Sequence, residues 1–163
     1  MIKAFEKVRE SGFDAYLLIA GREGNSSKML QELVNESKLG ERIFLLGFRK
    51  DIKQLLAASD IFVFPSRFEG MPGALIEALA AGLPVVATNI DSIAEVVNKP
   101  ENVLLSEVDD VNTLAENMKF LASDSVLRNT MSDANLKLFK KHYSLDEILK
   151  RFIAFYDRVE ALD

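Results

Sequence analysis

The stretch FPSRFEGMPGALIEALAAGLPVVAT, residues 64–88, indicates the fold of this chain. It reads as the end of an apolar strand, a glycine-containing turn, a nearly apolar helix, a break and a second apolar strand. One carboxylate, that of Glu77, lies among the small and apolar residues of the helix. Because a buried carboxylate without a partner is costly, we expect Glu77 either to pair with a cation or to line a polar cleft.

Composition and charge limit the possible classes of protein. The 163 residues, 48% of them hydrophobic, fit one domain with a substantial core. The net charge of -5, with 20 lysines and arginines spread along the chain, gives no basic patch for nucleic acid. The chain has no cysteine for a disulfide or a thiolate metal site, and its apolar runs are too short to span a bilayer. We therefore expect a soluble domain whose partners do not include nucleic acid.

Short apolar runs alternate with helical patterns along the chain. Continuous apolar runs are typical of parallel strands that are buried on both faces. Alternation of strands and helices implies right-handed crossovers, so the sequence predicts an α/β, Rossmann-like parallel sheet of about five strands. Helices should cover both faces, and a helical tail should follow. The predicted strands are 15–20, 42–47, 61–65, 84–88 and 102–106, and the predicted helices are 26–38, 50–58, 72–81, 91–98, one through Leu114 and Leu121, 125–141 and one opened by a capping box at Ser144 and Glu147.

The chain begins with a predicted helix in which Ile2, Phe5 and Val8 share one face. A doubly wound sheet usually begins with a strand, so we expect residues 1–163 to form one domain of a longer protein, without its first strand. An intact chain that simply starts with a helix is the alternative.

Several loops after strands are candidate binding loops, because ligands of parallel sheets bind at the carboxyl ends of strands. Gly21 opens the turn GREG, in which glycines would allow a ligand to approach the backbone, although an ordinary tight turn is the alternative. Phe48 and Arg49 follow the second strand and are suited to contact a base or a phosphate. Alone, each of these loops is a weak signal.

The loop at 66–73 is a stronger candidate, since Glu69, two glycines and Pro72 directly precede an apolar helix. This arrangement predicts an anion site at a helix amino terminus with an acid beside it. Glu77 would lie roughly 7 Å along the helix axis from Pro72, a spacing that suits the ribose of a bound nucleoside diphosphate. Ribose hydroxyls would donate to Glu77, and an ion pair with Arg67 or a lysine is the alternative.

The motifs together resemble a known family. Glu69 and Glu77 form a Glu-x7-Glu motif, which the stretch ALAAGLPVVAT follows. This pattern closely resembles the carboxyl-terminal domain of retaining, nucleotide-sugar-dependent glycosyltransferases of the GT-B fold, the glycosyltransferase family 4 group. The resemblance covers almost the whole chain. Its further motifs are LIAG at 18–21, LGF at 46–48, ASDIFVFPS at 58–66, EVV at 95–97 and the stretch 139–156.

The resemblance implies roles for these residues. Glu77 would hold the ribose hydroxyls, and Glu69, the predicted catalytic-site residue, would position the donor sugar near its 3-hydroxyl rather than act as an acid or base. Backbone amides of the turn would bind sugar and phosphate. The family generally needs no metal and no cofactor, and retention is usually ascribed to a front-face route without a covalent intermediate. The predicted donor-binding residues are Glu77, Gly70, Met71, Pro72, Gly73, Ala74, Leu75, Gly21, Phe48, Arg49 and Ser66.

The chain also departs from the family pattern. The family's arginine and lysine that grip the diphosphate, and its amino-terminal acceptor domain, have no counterpart here. The turn at 90–95 lacks the family's two glycines, and 98–102 is predicted to be a surface loop. We therefore expect the donor-binding half of a cytoplasmic transferase, inactive alone, that uses a UDP- or GDP-sugar and a glycan or lipid-linked acceptor. Membrane contact, if any, would come through the missing domain. A GT-B-like nucleotide-sugar epimerase and a non-catalytic nucleotide-binding module are the alternatives.

The helical tail carries no predicted catalytic group. His142 falls at the end of a basic helix, where solvation of the helix end is the expected role. The residues Phe152, Phe155, Tyr156 and Val159 form an apolar stripe at helical spacing. Core packing is the first interpretation of this stripe, and packing against the missing domain is the second.

Overall fold

Helices and strands alternate along the first two thirds of the chain, and three helices follow. The structure, a computed structural model, describes residues 1–24 and 27–160. The helices are α1 (Ile2–Glu10), α2 (Ser27–Glu36), α3 (Ile52–Ala57), α4 (Gly73–Ala80), α5 (Asp91–Val96), α6 (Val111–Ser123), α7 (Ser125–His142) and α8 (Leu145–Glu160). The strands are β1 (Leu17–Ala20), β2 (Ile43–Gly47), β3 (Phe62–Phe64), β4 (Val85–Thr88) and β5 (Val103–Ser106), and one turn of 3-10 helix, Gly40–Arg42, precedes β2.

The predicted α/β architecture is confirmed, with all five strands and every predicted helix close to its expected place. The elements are mostly one or two residues shorter at their ends than the sequence patterns. Ser26, the first residue of one predicted helix, lies outside the described residues. None of the helices that the structure describes combines the length and the apolar character needed to cross a bilayer.

All strand pairs are parallel, as expected, but the strands form two ladders instead of one sheet. β1 pairs with β2, while β4 lies between β3 and β5. Across residues 1–24 and 27–160, no strand pairing joins β1 to β3. The two ladders nevertheless share a hydrophobic core, in which Leu17 and Ile19 of β1 belong to the same cluster as Val63 of β3.

In the ladder formed by β3, β4 and β5, successive residues of a strand belong alternately to two different apolar clusters. Val86 and Leu104 belong to a cluster with the buried faces of α1 and α6, and Met131 of α7 extends it. Val85 and Val103, one position earlier on each strand, belong to a second cluster with α4 and α5. This period of two buries the ladder on both faces and leaves its strand ends as the accessible edge.

Three local expectations are wrong, wholly or in part. Ser144 makes no capping box, because its hydroxyl donates to the carbonyl of Lys140 and the Glu147 carboxylate pairs with Lys150. The predicted surface loop at 98–102 is confirmed for residues 98–101, which are exposed, but Asn102 is 5% exposed and hydrogen-bonded to Asn135 of α7.

The third concerns α8, whose apolar stripe was expected first to pack in the core. Every described residue of its last ten positions is exposed, and the stripe itself is 45% to 59% exposed. An amphipathic helix normally packs its apolar side against another element. The core does not supply that contact for the stripe of α8. His142, in contrast, ends α7 as expected.

Candidate functional site

The turn between β3 and α4 leaves the carboxyl end of a strand, as expected for a binding loop. Pro72 directly precedes α4 and its ring restricts the backbone for the start of the helix. A Cβ atom added at Gly70 or Gly73 would meet no heavy atom within 4 Å, so the backbone of this turn borders open space. The turn therefore offers a ligand direct access to backbone amides.

Glu69 is half-buried and held by a neighbour in its own loop. The hydroxyl of Ser66 donates to Oε1 of Glu69 at 2.7 Å. Oε2 of Glu69 has no protein donor among the described residues, so one carboxylate oxygen is fixed while the other is available to a hydroxyl of a ligand. The structure thus brings together Ser66 and Glu69, two of the predicted site residues.

Glu77 lies on the exposed side of α4, and this placement explains a charge in an apolar helix. The buried side is formed by Leu75, Ala78 and Leu79, whereas Ala74, one turn before Glu77, is exposed like Glu77 itself. The helix is apolar because its exposed side carries alanines, and Glu77 does not enter the core. In the part of the chain that the structure describes, Glu77 has no ion pair, and Arg67, one suggested partner, instead pairs with Asp109 at 2.7 Å.

The backbone amides of the turn differ in availability. The N–H of Gly73 donates to the carbonyl of Met71 at 2.8 Å, and that of Leu75 donates to Pro72 at 3.0 Å. No group between residues 1 and 24 or 27 and 160 accepts from the N–H of Gly70, Met71 or Ala74. These three amides are therefore the available donors near the start of α4.

Two predicted donor-binding residues serve the packing of the protein instead. Leu75 is fully buried, and Pro72 is buried as well. Since the N–H of Leu75 is also occupied, we assign Leu75 to the core rather than to the site. Pro72 shapes the turn but has no N–H of its own to offer.

The loops after β1 and β2 contact each other. The N–H of Gly21 donates to the carbonyl of Gly47 at 3.0 Å, and the Arg22 guanidinium lies 5.1 Å from the centre of the Phe48 ring. Arg49 is paired with Asp51, whose carboxylate accepts from Arg49 Nε at 2.8 Å. These hydrogen bonds raise the pKa of Arg49 and lower that of Asp51. Arg49 therefore stays charged, and a phosphate would have to compete with Asp51 for its guanidinium.

The sequence analysis missed the residues that connect the loops. Thr88, the last residue of β4, donates its hydroxyl to the carbonyl of Ser66, and the Asn89 amide donates to Glu107 at 2.9 Å. Arg67 reaches Asp109 from the loop of Glu69. The signal for Thr88 was available, since it is the polar end of an otherwise apolar strand. The long-range pair of Arg67 and Asp109 had no local signal.

Comparisons with known proteins show the family to which this chain belongs. The family model described as glycosyl transferases group 1 matches residues 1–124. The chain therefore belongs to this family of glycosyltransferases. Its fold is that of the carboxyl-terminal domain of GT-B glycosyltransferases, as the resemblance predicted.

One similar curated protein is the UDP-Gal:alpha-D-GlcNAc-diphosphoundecaprenol alpha-1,3-galactosyltransferase of Escherichia coli. It is 34% identical over 119 residues, which are 73% of this chain and 30% of that protein. The chain spans between 27% and 43% of the length of eight curated relatives that it matches.

Two solved structures illustrate the fold. The carboxyl-terminal domain of a glycosyl transferase group 1 family protein from Francisella tularensis matches with a TM-score of 0.79 and 26% identity, over 88% of this chain and 77% of that one. The Anabaena protein HepE in complex with UDP matches with a TM-score of 0.85 and 21% identity, over 95% of this chain and 44% of that one.

Proposed function

We propose that this chain is the donor-binding half of a retaining glycosyltransferase that transfers a sugar from a UDP- or GDP-sugar. The observation that carries the proposal is Glu77, an exposed carboxylate on α4 with no ion pair among residues 1–24 and 27–160. It lies one turn beyond the open amide of Ala74 and six and seven residues beyond those of Met71 and Gly70. A carboxylate at that distance from an anion site suits a ribose whose phosphates lie at the start of the helix.

In this proposal each group of the site has one role. The available amides and the positive end of the α4 dipole stabilise the diphosphate, including the negative charge that develops as it leaves. Glu77 accepts from the two ribose hydroxyls. Glu69, with one oxygen fixed by Ser66, accepts from a hydroxyl of the donor sugar and orients it.

We further propose that a second domain and one more strand, both outside residues 1–163, complete the enzyme. Two features support this proposal: the two parallel ladders share a core without pairing to each other, and α8 exposes an apolar stripe. A strand between β1 and β3 would join the ladders into one sheet. The second domain would supply the acceptor site, so residues 1–163 should bind donor without transferring sugar.

The names of two relatives support a proposal for the class of acceptor. The Escherichia coli galactosyltransferase and a Campylobacter jejuni N-acetylgalactosaminyltransferase, 31% identical over 144 residues, both carry a diphosphoundecaprenol acceptor in their names. A lipid-linked acceptor at the inner face of the membrane is therefore the class we propose for the whole enzyme.

A titration of the Glu77→Gln variant tests the site. Loss of charge-assisted hydrogen bonds should weaken binding of UDP or GDP by about one to two orders of magnitude. The melting temperature should stay unchanged, because Glu77 is exposed and has no ion pair in the described part of the chain. Amide chemical shifts of the 163-residue chain, followed during titration with each nucleotide, measure even weak dissociation constants.

Glu32→Gln, an exposed glutamate of α2, is the matched control and should leave nucleotide binding unchanged. Unchanged affinity for both nucleotides in Glu77→Gln would contradict the ribose assignment. Turnover of a UDP- or GDP-sugar to a glycosylated product by residues 1–163 alone would contradict the need for a second domain.

A further inference from the structure

The loop that carries Glu69 is tied to the end of a buried strand through two consecutive hydrogen bonds. The Thr88 hydroxyl donates to the backbone carbonyl of Ser66, and the Ser66 hydroxyl donates to Glu69. Thr88 is 3% exposed and ends β4, the central strand of its ladder. The position of the Glu69 carboxylate is thus linked to a buried residue of the central strand in this ladder.

Between residues 66 and 71, before the buried Pro72, apolar packing contributes little to holding this loop. Its large side chains, Phe68 and Met71, are 86% and 76% exposed. The other connection of the loop, between Arg67 and Asp109, joins two side chains that are 76% and 66% exposed, and such surface ion pairs stabilise little. Among the described residues, the bond from Thr88 is the connection of the loop whose donor is buried, so water competes less for this bond than for the exposed ion pair.

We propose that Thr88 is a positioning residue for donor-sugar recognition. By fixing the Ser66 backbone, Thr88 keeps the Ser66 hydroxyl within reach of Glu69, and Ser66 then directs the free oxygen of Glu69 toward the sugar. Thr88 itself touches no substrate. This inference rests on the proposed function, because it acts through the sugar contact assigned to Glu69.

The test separates sugar recognition from nucleotide recognition. The quantity measured is the ratio of the dissociation constants of UDP and UDP-galactose, or of GDP and GDP-mannose if the chain prefers GDP. Thr88→Val keeps the shape of the side chain but removes its hydroxyl. It should reduce the ratio about three- to tenfold through weaker binding of the nucleotide sugar, while the free nucleotide binds as before.

Two further variants show whether Thr88 acts through Glu69. Thr88→Ser retains a hydroxyl donor and should restore most of the ratio. In a Glu69→Gln background, Thr88→Val should cause no additional loss, because the contact on which it acts has already been weakened. If Thr88→Val does not fold, Ser66→Ala removes the second of the two bonds, the one that transmits the position of Thr88 to Glu69, and must lower the ratio in its place.

The outcomes distinguish the two proposals. If the wild-type chain binds neither nucleotide nor nucleotide sugar, the proposed function fails, and this inference fails with it. If Glu69→Gln lowers the ratio but neither Thr88→Val nor Ser66→Ala does, the inference alone is overturned. Equal weakening of nucleotide and nucleotide sugar by Thr88→Val, with a lower melting temperature, would show a purely structural role and would also overturn it.

Discussion

Asn135 is a buried polar residue that joins three elements of the core. Its Nδ2 donates to the carbonyls of Leu83 at 2.8 Å and of Asn102 at 3.1 Å, and its Oδ1 accepts from the Asn102 amide at 2.9 Å. These bonds fix α7 against the segments that lead into β4 and β5. Because all of these groups are shielded from water, each of them depends on Asn135 for a partner.

Replacement of Asn135 by leucine should therefore destabilise the protein strongly. Leucine is similar in size, but it leaves the Asn102 amide and two carbonyls without partners, at about 1 to 3 kcal/mol for each unsatisfied group. We expect a loss of about 3 kcal/mol in the free energy of unfolding, measured by urea denaturation. Asn129→Leu, on an exposed position of the same helix, should change the stability little. Equal stabilities of the two variants would contradict this role of Asn135.

At the scale of elements, the sequence predicted those features that a local pattern of residues determines. Apolar runs located all five strands, and the spacing of Ile2, Phe5 and Val8 located the buried face of α1. In α4 the apolar composition was misleading, because alanine is compatible with both buried and exposed positions. Only the packed structure shows that Ala74 and Glu77 share the exposed side.

Burial and helix capping were harder to predict where they depend on contacts that a local pattern does not contain. Asn102 is buried because α7 supplies Asn135, and the Ser144 hydroxyl is drawn to the Lys140 carbonyl rather than to the start of α8. In the candidate site, the Glu-x7-Glu spacing singled out Glu69 and Glu77, and their roles in binding stay predictions. The contacts of Thr88 with Ser66 and of Arg67 with Asp109 span 22 and 42 residues, so no short motif contains them.

The junction between α1 and β1 carries a pH-dependent contact. Asp14 Oδ1 lies 2.8 Å from Arg9 Nη1 and 2.9 Å from Arg42 Nη1. The hydrogen bond from Arg9, followed by the charge of Arg42, lowers the pKa of Asp14. A lowered folded-state pKa adds stability above the pKa of the unfolded chain, about 3.9, and this stability is lost as the pH falls through the folded-state pKa.

Asp14→Asn should therefore melt at a lower temperature than the wild type at about pH 7, and the difference should shrink as the pH falls below about 4. Thermal melts of both proteins across that range measure the effect. Asp133→Asn, an exposed aspartate of α7 without an ion pair in residues 27–160, provides the comparison and should follow the wild type. A difference between Asp14→Asn and wild type that grows in acid would refute the assignment.

At the scale of the whole molecule, the core and α8 are separate. The two apolar clusters draw buried residues from α1, α2, α4, α5, α6 and α7 and from β1, β2, β4 and β5, whereas α3 and α8 contribute none. The stripe of α8 is accompanied by further exposed apolar residues on the same helix, among them Leu149 and Ile153. A helix that is amphipathic and unburied in this chain is suited to pack against the second domain that we propose.

Substitutions in α8 should then behave differently from substitutions in the core. Leu149→Gln with Ile153→Gln removes apolar side chains that are 50% and 61% exposed, and glutamine keeps a good helix propensity. We expect the 163-residue chain to lose no more than about 0.5 kcal/mol, as for other surface changes. Phe5→Ala, at a position that is 2% exposed, should cost about 3 to 5 kcal/mol in the same denaturation experiment. In a longer protein that includes the second domain, the α8 variant should instead be clearly destabilised relative to its own wild type. If the α8 variant destabilises the 163-residue chain as much as Phe5→Ala does, α8 packs on this core and the proposed interface is wrong.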